Sequence, residues 1–302
     1  MPEQRFEPMT VGQILDQTFR LYKRNFLRFV AIVAVVQVPL AFISLLLLAP
    51  VATNTGFQRQ QASAVGSAEP MAPGDYGTAS EAEYDLELSF GAIFLGAGVA
   101  GLIWWLGTTL SNAALIKSVS ESYLGGDATV GEAYRFVLPK LWRLVWAGIL
   151  VGLIVFIGIL LLIVPGVILA ICLALTTQAI VVEDVTAKGG MSRSMKLASG
   201  NRGKVCGLLV LLGIIGAIVG WTFGAAGEAL GSLVSAQSGM TAMVISQSSS
   251  LIGQVLVAPI GAAAMILLYY DLRIRKEGFD LEMLAKSLGS SPTATVPDAS
   301  EL

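Results

Sequence analysis

The sequence predicts an all-α polytopic membrane helix bundle. It has six transmembrane helices in three hairpins, each hairpin preceded by a cytoplasmic amphipathic helix. Three observations predict it. Apolar residues make up 55% of the chain and charged residues 13%, with a mean hydropathy of +0.74, whereas soluble domains carry about 25% charged residues. Uncharged stretches long enough to cross a bilayer recur along the chain. Basic residues fall almost wholly between alternate stretches.

A helix needs about 20 apolar residues to cross the hydrocarbon core. Phe29–Ala49, Phe90–Ile116, Val205–Gly227 and Leu251–Tyr270 each meet that need. Leu144–Val182 holds no charge over 39 residues, which as one helix would be roughly 58 Å long. Pro165-Gly166 lies just past its middle. Proline removes a backbone donor and glycine permits a turn, so this run reads as two spans joined by a tight hairpin. The leader before the first span, residues 1–28, is too long for a signal peptide and predicts an uncleaved anchor. It also predicts an amphipathic helix.

Orientation follows from lysine and arginine. Arg5, Arg20, Lys23, Arg24 and Arg28 precede the first span. Lys117, Arg135, Lys140 and Arg143 lie between the second and third. Lys188, Arg193, Lys196, Arg202 and Lys204 lie between the fourth and fifth, and Arg273, Arg275, Lys276 and Lys286 follow the sixth. Arg59 alone is on the opposite side. Both termini are therefore expected in the cytoplasm, with a membrane domain over 29–286. The acidic, Ala/Ser/Gly/Pro-rich segment 50–88 is expected outside and disordered. A ligand-binding acidic loop is the alternative. The tail 287–302 is also expected to be disordered.

The cytoplasmic segments repeat. Thr10-Val-Gly-Gln13 and Thr129-Val-Gly-Glu132 both read as capping boxes, each followed by apolar residues near helical spacing and a basic turn into the membrane. A weaker third copy runs from Gly190 to Leu197. The basic, aromatic-faced helices suit the headgroup boundary of an anionic leaflet, as struts or as elements that sense or organise lipid.

No Asp, Glu, Lys or Arg lies within a span, so a proton relay has no candidate carboxylate there. The chain has no histidine and two cysteines, Cys172 and Cys206. It thus lacks the commonest general base and any zinc-site spacing, and no cofactor, metal site or catalytic residue is expected. The candidate intramembrane cluster is Gln37, Thr108, Thr109, Asn112, Thr176, Thr177 and Gln178. Interhelical hydrogen bonding is one role for it, and substrate binding the other. Gly216, Gly220 and Gly224, like Gly148 and Gly152, form small-residue steps suited to close packing within the chain or in a dimer.

The candidate headgroup motif lies in Leu267-Leu-Tyr-Tyr-Asp-Leu-Arg-Ile-Arg-Lys-Glu-Gly-Phe-Asp-Leu-Glu282. Tyr269 and Tyr270 suit the interface, and Arg273, Arg275 and Lys276 the headgroups. Asp271 is expected to pair with Arg273 or a basic residue of an earlier cytoplasmic helix. The stretch resembles the terminal motif of the bacterial glycerophosphoryl diester phosphodiesterase membrane domain family. Asn25-Phe26, Ile163-Val-Pro-Gly-Val-Ile168, Ser194-Met-Lys-Leu and Gly200-Asn-Arg are similar too. The resemblance implies a membrane module of largely unknown function. It does not imply the esterase, whose histidine-bearing catalytic domain has no counterpart here.

Two functions are open to such a chain. One is a non-enzymatic accessory, scaffold or membrane-organising module of the bacterial inner membrane, contacting anionic lipid headgroups and with room for a protein partner in the membrane. The other is a small-molecule or lipid permease with a polar site between spans two and four. Net charge of −2 leaves no basic excess for nucleic acid.

Overall fold

The computed structural model describes residues 9–65, 78–234 and 239–277, with side chains over 9–46, 95–234 and 241–277. Every regular element among them is helical. In chain order these are α1 (Val11–Arg24), α2 (Phe26–Val65), α3 (Thr78–Tyr123), α4 (Val130–Val137), α5 (Leu141–Leu161), α6 (Ile163–Leu173), α7 (Thr176–Glu183), α8 (Ala187–Ala198), α9 (Arg202–Val234) and α10 (Gly239–Glu277). A short 3-10 turn, Leu138–Lys140, joins α4 to α5. Among the described residues six segments are long and apolar enough to cross a membrane: Phe26–Leu46, Leu95–Tyr123, Val130–Leu161, Ile163–Glu183, Arg202–Val234 and Thr241–Glu277.

The spans divide into two classes. Over their most apolar windows, 39, 44 and 56% of residues are buried in the second, fourth and sixth spans. The figures for the first, third and fifth are 22, 17 and 11%. The even spans therefore form the centre, where α3, α7 and α10 touch one another. Ala113–Ile116, Ala179–Val181 and Ile266–Tyr270 supply much of the core. The odd spans turn apolar side chains outward, among them Phe42, Phe156 and Trp221, as a lipid-facing surface requires.

Each amphipathic helix begins at a threonine. Thr10 and Thr129 form the expected capping boxes with Gln13 and Glu132. The third cap is Thr186, whose hydroxyl accepts from Gly189 N–H. The third copy thus starts four residues before the Gly190 that the sequence suggests. From these caps the copies align. The fourth residue after each threonine is Ile14, Ala133 or Gly190, and the eighth is Thr18, Val137 or Ser194, all buried. Their common spacing of four places them on one face, which packs on an even span. Thus α4 lies on α3, α8 on α7, and α1 on α10, so the last unit is joined to the first.

The second hairpin differs from expectation. The turn is not at Pro165-Gly166 but at Leu162, the one extended residue between α5 and α6. Pro165 occupies the first turn of α6, where a missing N–H costs no intrahelical bond. Gly166 lets α6 lie against α5: a Cβ there would stand 2.5 Å from Ile159 N. The fourth span is also not one helix, because it breaks at Ala174-Leu175 between α6 and α7.

Within the segment 50–88, expected to be disordered, the described residues include helix. α2 runs on to Val65 and α3 starts at Thr78. Extending a formed helix avoids the cost of a new nucleus, and Ala, Gln, Leu and Glu in these stretches are good helix formers. Residues 66–77 and the tail 287–302 lie outside the described residues.

The glycine steps are not packed within the chain. A Cβ at Gly152, Gly216, Gly220 or Gly224 would meet nothing within 4 Å. Only Gly148 faces a neighbour, Trp105. α9 instead meets α10 through Gly227 and Gly231, which lie against Ser246, Ser249 and Ala242.

Candidate functional site

The expected intramembrane cluster does not converge on one site. Thr108 and Thr109 both donate to the Trp105 carbonyl on their own helix, and Thr176 donates to Leu173. Gln178 is buried, and with its amide turned round it donates to the Ala174 and Leu175 carbonyls. Asn112 is exposed, and Thr177 is half-buried. Gln37 is buried on α2 with its Oε1 unpaired among the described residues. None of the seven lines the cavity that lies between α2, α3 and α10.

The concentrated chemistry is at the basic ends of the spans. Each hairpin is clamped there by an ion pair between the start of its odd span and the end of its even one. Arg28 meets Asp127 at 2.7 Å, Arg143 meets Asp184 at 2.9 Å, and Lys204 meets Asp271. Arg28, Arg143 and Lys204 each immediately precede a buried span residue, Phe29, Leu144 and Val205. They also hold one place in the repeat. Thr10 to Arg28 and Thr186 to Lys204 have the same separation, and Thr129 to Arg143 is one turn shorter where Pro139 tightens the chain.

The clamps differ in burial, and burial decides their weight. The Asp127 and Asp184 side chains are 79% and 61% exposed, whereas that of Asp271 is 0% exposed. An exposed pair contributes little, because water screens it. A buried carboxylate must be fully paired. Asp271 is: its Oδ1 accepts the Met9 N–H at 2.6 Å, and its Oδ2 meets Lys204 and Arg275, the latter at 3.1 Å. Lys204 and Arg275 also donate to the Met9 carbonyl. The residue before α1 is thereby held by the end of α10.

The expected partner Arg273 is not used by Asp271. On a helix, residues two apart face different ways and residues four apart share a face. Arg275 therefore takes Asp271, while Arg273 turns to Glu277 at 3.2 Å and to Glu183. Arg193 of α8 completes that second group by binding Glu183 at 2.8 Å and also Glu277. These two carboxylates hold its guanidinium above its ordinary range, the hydrogen bond it donates to Glu277 contributing most. The Tyr269 hydroxyl donates to Glu183 as well. Lys276 donates to the Lys196 carbonyl and to Ser199 Oγ, which satisfies the C-terminal end of α8. All three basic residues of the motif thus have protein partners.

Sequence reasoning missed the group around Glu183, Arg193 and Glu277, because its members come from α7, α8 and α10 and share no local pattern. The pairing of Asp184 with Lys140 and Arg143 was likewise invisible, although Asp184 ends a helix.

A family model described as a domain of unknown function (DUF7847) matches residues 9–272. No curated protein and no solved structure matches the chain. The matched stretch includes both Met9 and Asp271. Nothing in it bears on the resemblance to the glycerophosphoryl diester phosphodiesterase membrane domain. The chain belongs to this family of unknown function.

Proposed function

We propose that this chain, as a member of that family, is a non-enzymatic multi-pass module of the bacterial inner membrane. It acts as an accessory, scaffold or membrane-organising protein, with both termini in the cytoplasm. One observation carries the reading: the charged groups at the basic end are engaged with one another. Glu183, Asp184 and Asp271 each face basic partners from another element. Such charges build a platform rather than a reaction centre. The excess of lysine and arginine on this side supports its cytoplasmic placement. The resemblance of the Leu267–Glu282 motif to a membrane module supports the same reading without the esterase.

Lipid contact has a place on that platform. Lys23, Arg24 and Arg28 surround a surface hollow of about 320 Å3 together with Asn25, Phe26 and Leu27. Leu27 is 80% exposed. An exposed apolar side chain between basic ones suits insertion among anionic headgroups.

The test is reconstitution in phosphatidylglycerol-containing vesicles. The protein should retain anionic lipid through purification, and replacing Lys23, Arg24 and Arg28 by glutamine should reduce that retention several-fold. Hydrolysis of a glycerophosphodiester with divalent metal, or uptake of a solute into the vesicles, would overturn the non-enzymatic scaffold reading. Orientation is tested in a version with Cys172→Ala and Cys206→Ala. A cysteine at Ser67 should react with an impermeant thiol reagent in intact cells, and one at Lys188 should not.

A further inference from the structure

A cavity lies between the first, second and sixth spans. It has a volume of about 340 Å3, and its wall includes Ala41, Ser44, Gly101, Trp104, Gln247 and Gln254. A second hollow of about 160 Å3 adjoins it across α2 and shares Ala41, Leu45, Gln247 and Leu251. The first volume is within the usual size of small-molecule sites, about 300–1,000 Å3. Among the described residues no Asp, Glu, Lys or Arg lines either hollow. The wall is apolar with two glutamine amides and a serine hydroxyl, which can donate or accept hydrogen bonds but cannot offset a ligand's charge.

The surrounding helices are long and apolar enough to span a membrane, so the apolar part of a ligand held here would come from the bilayer.

We infer that this cavity binds an uncharged, hydroxyl-bearing lipid of the acylglycerol class. The acyl chain lies along Ala41, Leu45 and Trp104, and the hydroxyl meets the glutamine amides. Charged phospholipids are disfavoured, because the wall gives their phosphate no cation.

Trp104 is the reporter. The protein, with Trp105, Trp142, Trp146 and Trp221 replaced by phenylalanine, is reconstituted in phosphatidylglycerol–phosphatidylethanolamine vesicles. Brominated diacylglycerol is added, or brominated phosphatidylglycerol at the same mole fraction. The neutral lipid should quench Trp104 saturably and several-fold more than the charged one. Gly101→Leu should abolish the saturable part by filling the cavity, which a Cβ at Gly101 enters without contact within 4 Å. Gln254→Leu, which removes one lining amide at similar volume, should weaken binding several-fold. Equal, non-saturating quenching by the two lipids would overturn the inference. So would saturable quenching that survives Gly101→Leu in protein with unchanged helical content.

Discussion

The Ser194 hydroxyl donates to the Cys172 carbonyl at 2.7 Å, across a break in the fourth span. The same oxygen accepts the Leu175 N–H at 3.1 Å. The fourth span loses its backbone ladder between α6 and α7 where neither proline nor glycine is present. A side chain from α8 repairs it. Broken helices survive at membrane depth only where protein satisfies the freed groups. Ser194 is fully buried and stands at the repeat position of Thr18 and Val137. Thr18 uses its hydroxyl on its own helix, on the Ile14 carbonyl. The third unit has turned the equivalent position outward to splice a neighbour.

Ser194→Ala should therefore destabilise the bundle. It strands the Leu175 N–H and weakens satisfaction of the Cys172 carbonyl, an expected loss of about 1–3 kcal/mol. Thr222→Ala, on an exposed face with only an Ile218 carbonyl contact, should change stability by less than about 0.5 kcal/mol. Unfolding midpoints in one detergent compare the two. Equal midpoints would refute the splice.

Glycines divide in the same way. At Gly166 an added Cβ meets the Ile159 backbone at 2.5 and 2.7 Å. Backbone cannot rotate aside, so Gly166→Ala should cost at least the roughly 1–3 kcal/mol of ordinary overpacking. Gly216→Ala meets nothing within 4 Å and should be neutral or mildly stabilising, because alanine is the better helix former. Thermal unfolding of the two variants checks the contrast, and a loss at Gly216 matching that at Gly166 would contradict it.

These examples show where the sequence was legible. Span number and the three-unit plan follow from hydrophobic length and from threonine caps, which are local signals. Thr186 escaped notice because the third residue after it is Gly189 rather than an acid or amide. The Leu162 turn escaped because Pro165 is as suited to beginning a helix as to ending one. The glycine steps misled because close approach depends on what stands opposite. Asp271 could be recognised as a charge in need of a partner. Its choice of Lys204 over Arg273 depends on how α9 meets α10, which lies in no local pattern. The threonines of the intramembrane cluster spend their hydroxyls locally, and composition cannot distinguish that from a shared site.

The buried clamp should matter far more than its exposed counterparts. Asp271→Ala leaves Lys204 and Arg275 without their shared carboxylate and Met9 N–H without its acceptor. Removing one partner of a buried pair costs about 3–5 kcal/mol. Asp127→Ala removes a carboxylate that is 79% exposed and should cost about 0–1 kcal/mol. Combining Asp271→Leu with Lys204→Met should recover part of the loss, since the more buried Lys204 charge is then not stranded and Arg275 is half-exposed. Chemical denaturation of the three variants is the measurement. A double variant no more stable than Asp271→Ala would show that charge pairing is not the cause.

Asp184 gives the acid dependence. The hydrogen bond from Lys140, then the charges of Lys140 and Arg143, hold its carboxyl below the usual carboxylate range. Its folded value is thus lower than its unfolded value of about 3.9. The pair contributes fully above that unfolded value, and its contribution declines as pH falls through the lower folded value. Asp184 also has φ 54°, a left-handed conformation that asparagine tolerates. Asp184→Asn therefore keeps the turn and removes the charge. The variant should be less stable than the parent at pH 7, and the gap between their unfolding midpoints should close below about pH 4. A gap of constant size down to pH 3 would show that ionised Asp184 contributes nothing to holding α7 against α5.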